Sequence, residues 1–211
     1  MPSRLQDAAP TADASWVERP EPRTLAIAAA ILVPLMGWGW HARSERLHVQ
    51  DRAAAAASQV AGRPVRVHCP GQLKRRLTPT LHDGEVRFLD GRPADETTLT
   101  ARVCDGLGRL LDRGAALELA CLQLDDCSSD DTAVAYGVAV LTHESVHMRG
   151  VMDEAATECE AVRRSAGVAQ ALGASPQAAA YIADWQFSVA DDQLPENYRT
   201  TADCRIAGTG P

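Results

Sequence analysis

The sequence predicts a helix-rich α+β fold, a single disulfide-supported domain with one small sheet, behind an N-terminal transmembrane anchor. Three observations carry that expectation. Apolar residues recur at helical spacing through most of the second half, whereas strict alternation is confined to residues 65–69 and 85–89. All six cysteines follow residue 68. An uncharged run occupies residues 24–40, ahead of everything that looks globular.

Residues 1–23 hold Pro2, Pro10, Pro20 and Pro22 among small and charged residues without apolar periodicity, and are expected to be a disordered tail. The run from Thr24 to Trp40 would span about 25 Å as a helix, close to the thickness of a bilayer core, with Trp38 and Trp40 suited to its interface. It starts late for a cleaved signal peptide and lacks an A-x-A-like site before Arg43, so an uncleaved signal anchor is expected. Flanking arginines are balanced, and the cysteines set the topology instead. Cys69, Cys104, Cys121, Cys127, Cys159 and Cys204 form no C-x-x-C pair and read as three disulfides, which places the C-terminal part outside the cytoplasm and the N-terminus inside. Two pairings are expected, Cys121 with Cys127 and Cys159 with Cys204.

Residues 41–61 favour helix, as a stalk or first domain helix, up to the stop at Gly62-Arg63-Pro64. The domain proper is then expected over 62–211. Strands at 65–69 and 85–89 would pair with each other. Leu99, Val103, Leu107, Leu110 and Leu111 mark a helix over 97–113, and 115–124 reads as helix or strand. Asp130-Asp131 caps a helix running to about 148, Asp153 caps another over 153–172, and Pro176 opens a last one that ends before Pro195.

Composition narrows the function. The 211 residues carry a formal charge of −7, and Lys74-Arg75-Arg76 is the sole compact basic cluster, which argues against a nucleic-acid partner. The chemistry lies at His143-Glu144-Ser145-Val146-His147. Histidines four apart share one helix face and can grip one metal ion, and the glutamate between them can take a proton from a water in an open coordination position. Val134, Val138, Leu141 and Ser145 form a stripe for the core; Tyr136, Val140, His143 and His147 form a second stripe that can face a cleft. Gly150 lets the chain turn, and the helix starting at Asp153 would return acids toward the histidines.

Over residues 131–162 this pattern resembles the zincin metallopeptidases. Two variants fit. His143 to Asp153 is similar to the metzincin H-E-x-x-H-x-x-G-x-x-D register, without its downstream methionine turn, since Met152 is the last methionine. Glu154 and Glu158 resemble the gluzincin arrangement, in which a second helix supplies a glutamate ligand and an acid one turn later orients a histidine. We favour the latter. The resemblance implies Zn²⁺ held by His143, His147 and a carboxylate from Glu154, Glu158 or, third in order, Asp153, with Glu144 as the catalytic base and a peptide or protein as substrate. Tyr198, Tyr181, Tyr136, Arg149, His68 and His82 are the donors available to a developing oxyanion. The competing expectation is a membrane-tethered binding or scaffold ectodomain whose metal site is structural or lost.

Overall fold

The computed structural model describes residues 22–71, 83–192, 194–199 and 204; of residues 22–39, 190–192 and 197 only the backbone is described. The expected tail up to residue 21, the basic triplet at 74–76, and His82 lie outside the described residues. Helix α1 runs Pro22–Ala61. The chain divides into two units, residues 1–41 and 42–211. The first is helical backbone from Pro22 onward. The side chains of the expected anchor up to residue 39 are outside the description, and among the described residues no helix is long and apolar enough to cross a membrane.

The second unit is helix-rich α+β, with one three-stranded sheet and three disulfides. Its first segment, 42–61, sends Ala53, Ala56, Ala57 and Val60 into the core. Strand β1 (Arg66–His68) lies parallel to β3 (Arg92–Leu99), which pairs antiparallel with β2 (Gly84–Leu89), giving the order β1-β3-β2. The expected β1–β2 pair is therefore corrected: a third strand lies between them. Its sequence, RPADETTL, has few strand formers, and it is held by its neighbours and by burial of Thr97 and Leu99. Asp90 and Gly91 both take positive φ, closing a two-residue β2–β3 hairpin.

Residues 97–99 belong to β3, so the next helix, α2 (Ala101–Arg113), begins later than its apolar spacing suggested, with Thr100 as cap. The ambiguous stretch at 115–124 becomes short 3₁₀ turns, including Ala120–Gln123. Helix α3 (Ser129–Arg149) is capped by Ser128, whose hydroxyl accepts from the Asp131 amide, rather than by the aspartates that follow it. Helices α4 (Glu154–Ala171) and α5 (Pro176–Asp192) complete the set, and α4 starts at the expected Asp153 cap.

Helix α3 is the centre of the unit. It packs on α2, α4, α5 and the sheet. Val134, Val138, Leu141 and Ser145 are fully buried, as their spacing required. The α2 crossing is close because both helices present glycine there: a Cβ on Gly137 would meet the Val103 carbonyl oxygen at 3.0 Å, and one on Gly106 would collide with the Ala133 backbone. The core is built mainly of Leu, Val and Ala, with Cys69–Cys104, Cys121–Cys127 and Cys159–Cys204 cross-linking it. The last of these ties the start of α4 to the C-terminal segment.

Candidate metal centre

The site is assembled by the turn between α3 and α4. Gly150 ends α3 at φ 110°, a left-handed conformation that a side chain would strain, and its amide closes the helix on the carbonyls of His147 and Val146. The chain reverses within three residues. This returns the Val151 carbonyl to within 2.8 Å of His147 Nδ1 and starts α4 beside the last turn of α3.

Each histidine is held from outside on Nδ1 and turns Nε2 toward Glu154. The Val151 carbonyl can only accept, so His147 carries its proton on Nδ1 and directs Nε2 inward. His143 Nδ1 lies 2.7 Å from Glu158 Oε2. The two Nε2 atoms meet at one place, 3.1 and 3.2 Å from Glu154 Oε2. His143, His147 and Glu154 form a group whose donor atoms all lie within 4.8 Å of one another and which could hold a metal ion. Two imidazole nitrogens and a carboxylate suit several first-row divalent ions, and the donor set does not select one.

The other two expected acids are placed differently. Glu158 is buried and bonds the outer nitrogen of His143, and its second oxygen accepts from Gln186 Nε2 at 2.8 Å. Asp153 uses its carboxylate to cap α4 through the Ala156 amide at 2.8 Å. Glu144, 6% exposed, lies under the first residue of β2: a Cβ on Gly84 would meet its Cγ at 2.5 Å and its Oε1 at 2.6 Å.

Electrostatics follow from this crowding of carboxylates. Burial works against charge on His143, but hydrogen bonds to Glu154 and Glu158 outweigh it and raise its pKa to about 9. Burial also lifts Glu144 to about 7; the His143 charge pulls it back, and Glu154 and Glu85 push it further up. Glu154 is lowered chiefly by its hydrogen bond to His143.

A cleft of about 410 Å³ opens beside the group, between α3, α5 and the start of β2. Its walls include Val140, Trp185, Val189 and Leu194, and its polar edge includes His143 and Glu144. Among the described residues, Tyr198 alone of the expected oxyanion donors reaches the histidines, its ring stacked on His143 with centroids 5.8 Å apart. Tyr136 lines the cleft, but its hydroxyl donates to Asp83, while Arg149 pairs with Glu160, His68 with Glu96, and Tyr181 accepts from Gln177. Gln186 and Gly84 were not foreseen. A polar residue at 186 on the apolar stripe of Ile182 and Val189 was the available signal for the first; nothing in the sequence marked the second. No protein-family model, curated protein or solved structure matches the chain.

Proposed function

We propose that this chain is a zinc-dependent hydrolase, a metallopeptidase of zincin-like, gluzincin-like arrangement, tethered to a membrane through residues 24–40 with its disulfide-bonded domain outside the cytoplasm. The observation that carries the reading is the convergence of both histidine Nε2 atoms on Glu154, with Glu144 buried alongside at the edge of a cleft. Three donors converge among the described residues, and Glu158 is engaged on the far side of His143. Three protein ligands with a position left open characterise catalytic zinc, whereas structural zinc is closed by four.

Zinc would be held by His143, His147 and Glu154, and supplies Lewis acidity toward a carbonyl and toward water. The remaining work falls to the chain. Glu144, buried at the edge of the cleft beside His143, is the group available to take a proton from the attacking water and pass it to the leaving amine. Tyr198 is held neutral, its pKa raised by burial and by the carboxylates around it, so its hydroxyl is a donor for the oxygen that gains charge. Apolar walls at Val140, Trp185 and Val189 suit an apolar side chain of a peptide substrate.

Elemental analysis of the oxidised full chain tests the metal, and Glu144→Gln tests the chemistry. About one zinc per chain is expected, kept in the variant while turnover of peptide libraries falls about 10²- to 10⁴-fold. A folded chain without zinc overturns the reading; zinc with undiminished turnover in Glu144→Gln overturns the role of Glu144.

A further inference from the structure

We propose that Gln186 is a positioning residue for the metal centre, acting through Glu158 on His143. The inference rests on the metal-site reading above and extends it to a residue that touches neither histidine. Gln186 stands on α5 at 2% exposure, next to the fully buried Ile182 one turn earlier. Its Nε2 donates to Glu158 Oε1 at 2.8 Å, and Glu158 Oε2 lies 2.7 Å from His143 Nδ1. Its own Oε1 is buried and has no hydrogen-bond partner among the described residues.

That orphan carbonyl is informative. A leucine or methionine would fill the same space without burying an unpaired polar atom, so packing does not account for an amide here. A neutral N–H donor does a specific job. Glu158 has two equivalent oxygens, and a buried carboxylate with a single partner can rotate about its last bond. Pinning Oε1 with the amide leaves Oε2 facing Nδ1. An arginine or lysine would hold the carboxylate as well, but would set a positive charge close to a site meant for a cation. Serine is too short to reach from the same backbone.

The consequence falls on the tautomer of His143. With Oε2 fixed as acceptor, the imidazole carries its proton on Nδ1 and turns Nε2 toward Glu154 and the metal position. Partners outside the ligand shell are typically worth 10- to 100-fold in metal affinity. Glu158 touches a ligand and should have the larger effect, with Gln186 about tenfold.

The test uses the full oxidised chain and zinc, with affinity read by competition against a chromophoric chelator in wild type, Gln186→Met, Glu158→Gln and the double variant. Gln186→Met is expected to weaken zinc about tenfold, and the double variant to bind like Glu158→Gln alone, because the amide acts only through that carboxylate. Wild-type affinity in Gln186→Met, or losses that multiply in the double variant, overturn the proposal. Proton–nitrogen NMR of the His143 ring provides a second readout that needs no activity. A downfield Nδ1–H resonance is expected in wild type, moving upfield and exchanging faster in Gln186→Met, with or without metal. If Gln186→Met does not fold, the zinc-loaded wild type still decides: an Nε2–H tautomer of His143 overturns the assignment. A wild type that binds no zinc overturns the function proposed above, and the metal-free His143 resonance then judges Gln186 separately.

Discussion

On the sheet and between two helices, the described residues place carboxylates against histidine, and the second arrangement has the form of a site. On the sheet, Glu96 lies 3.3 Å from His68 and accepts from Arg66 at 3.2 Å and from Arg87 at 3.4 Å. Between α3 and α4, Glu154 and Glu158 surround His143 and His147. The first cluster is a product of register: Arg66 is the cross-strand partner of Glu96, and all its members face solvent. Its carboxyl is held low mainly by hydrogen bonds from Arg66 and His68, so fixed cations already satisfy it. Among the described residues the second contains no arginine or lysine. Its two histidines and Glu158 are mostly enclosed while Glu154 stays 31% exposed, the outer nitrogens of both histidines are occupied, and the remaining two converge. A histidine against a carboxylate is common to both clusters and does not separate them. What separates them is which positive charge can complete each one: a guanidinium on the sheet, and between the helices a position that could hold a metal ion.

The sharpest way to break this contrast is to remove the histidine from each cluster. His143→Ala is expected to lose bound metal completely by elemental analysis, while His68→Ala keeps the wild-type content. Equal loss in both, or retention in both, would dissolve the distinction.

A smaller effect is expected from Gly84→Ala. The added methyl would overlap Glu144 and force its carboxylate aside, while leaving His143, His147 and Glu154 untouched. Misplacing a reacting group by about 1 Å can cost about 100-fold, so metal content should hold while turnover drops by that order. Loss of metal instead would mean that Gly84 supports the whole site and not the base alone.

Acidity sharpens the comparison further. Metal-free, both Glu144 and His143 have pKa values raised above their ordinary 4.5 and 6.5, to about 7 and about 9. The folded state then binds more protons than the unfolded one. The Glu144 contribution is fully present below pH 4.5 and is lost as pH rises through 7; that of His143 is fully present below 6.5 and is lost through 9. Metal requires His143 Nε2 without its proton, so zinc affinity moves the other way. Melting temperatures in chelator should fall from pH 5 to 9, and the gain on adding zinc should widen over the same range. A gain independent of pH would mean that the ion displaces no proton and binds elsewhere.

What the sequence disclosed here depended on how local the signal was. The 3.6-residue stripes of α3, the Asp153 cap and the Gly150 turn are written in neighbouring residues, so the meeting of His143, His147 and Glu154 could be anticipated from one stretch of chain. Glu154 and Glu158 remained alternatives because both occupy one face of α4, and only three-dimensional placement puts one on the inner nitrogens and the other on the outer. Strand β3 stayed hidden because Arg92–Leu99 lacks β-branched alternation and is held by partners on both sides. Gly84 and Gln186 come from segments far from the motif, and their relevance arises only where the elements meet. The disulfide pairing was legible where cysteines bracket an element: Cys121 and Cys127 flank one turn, and Cys159 with Cys204 joins α4 to the C-terminal segment.

The smallest expected effect returns to the sheet. Glu96→Gln keeps the size of the side chain and one acceptor oxygen, and removes a charge shared by Arg66, His68 and Arg87. Ion pairs in contact with water contribute little, since solvent screens them and ordering long side chains opposes them. Denaturant midpoints of wild type and Glu96→Gln should therefore coincide at high salt and differ only slightly at low salt, with zinc content the same in both. A large loss of stability would show that the sheet cluster is more than a solvated surface. Loss of zinc would couple it to the helical site through β3, which packs on α3, and the two clusters would then have to be treated as one.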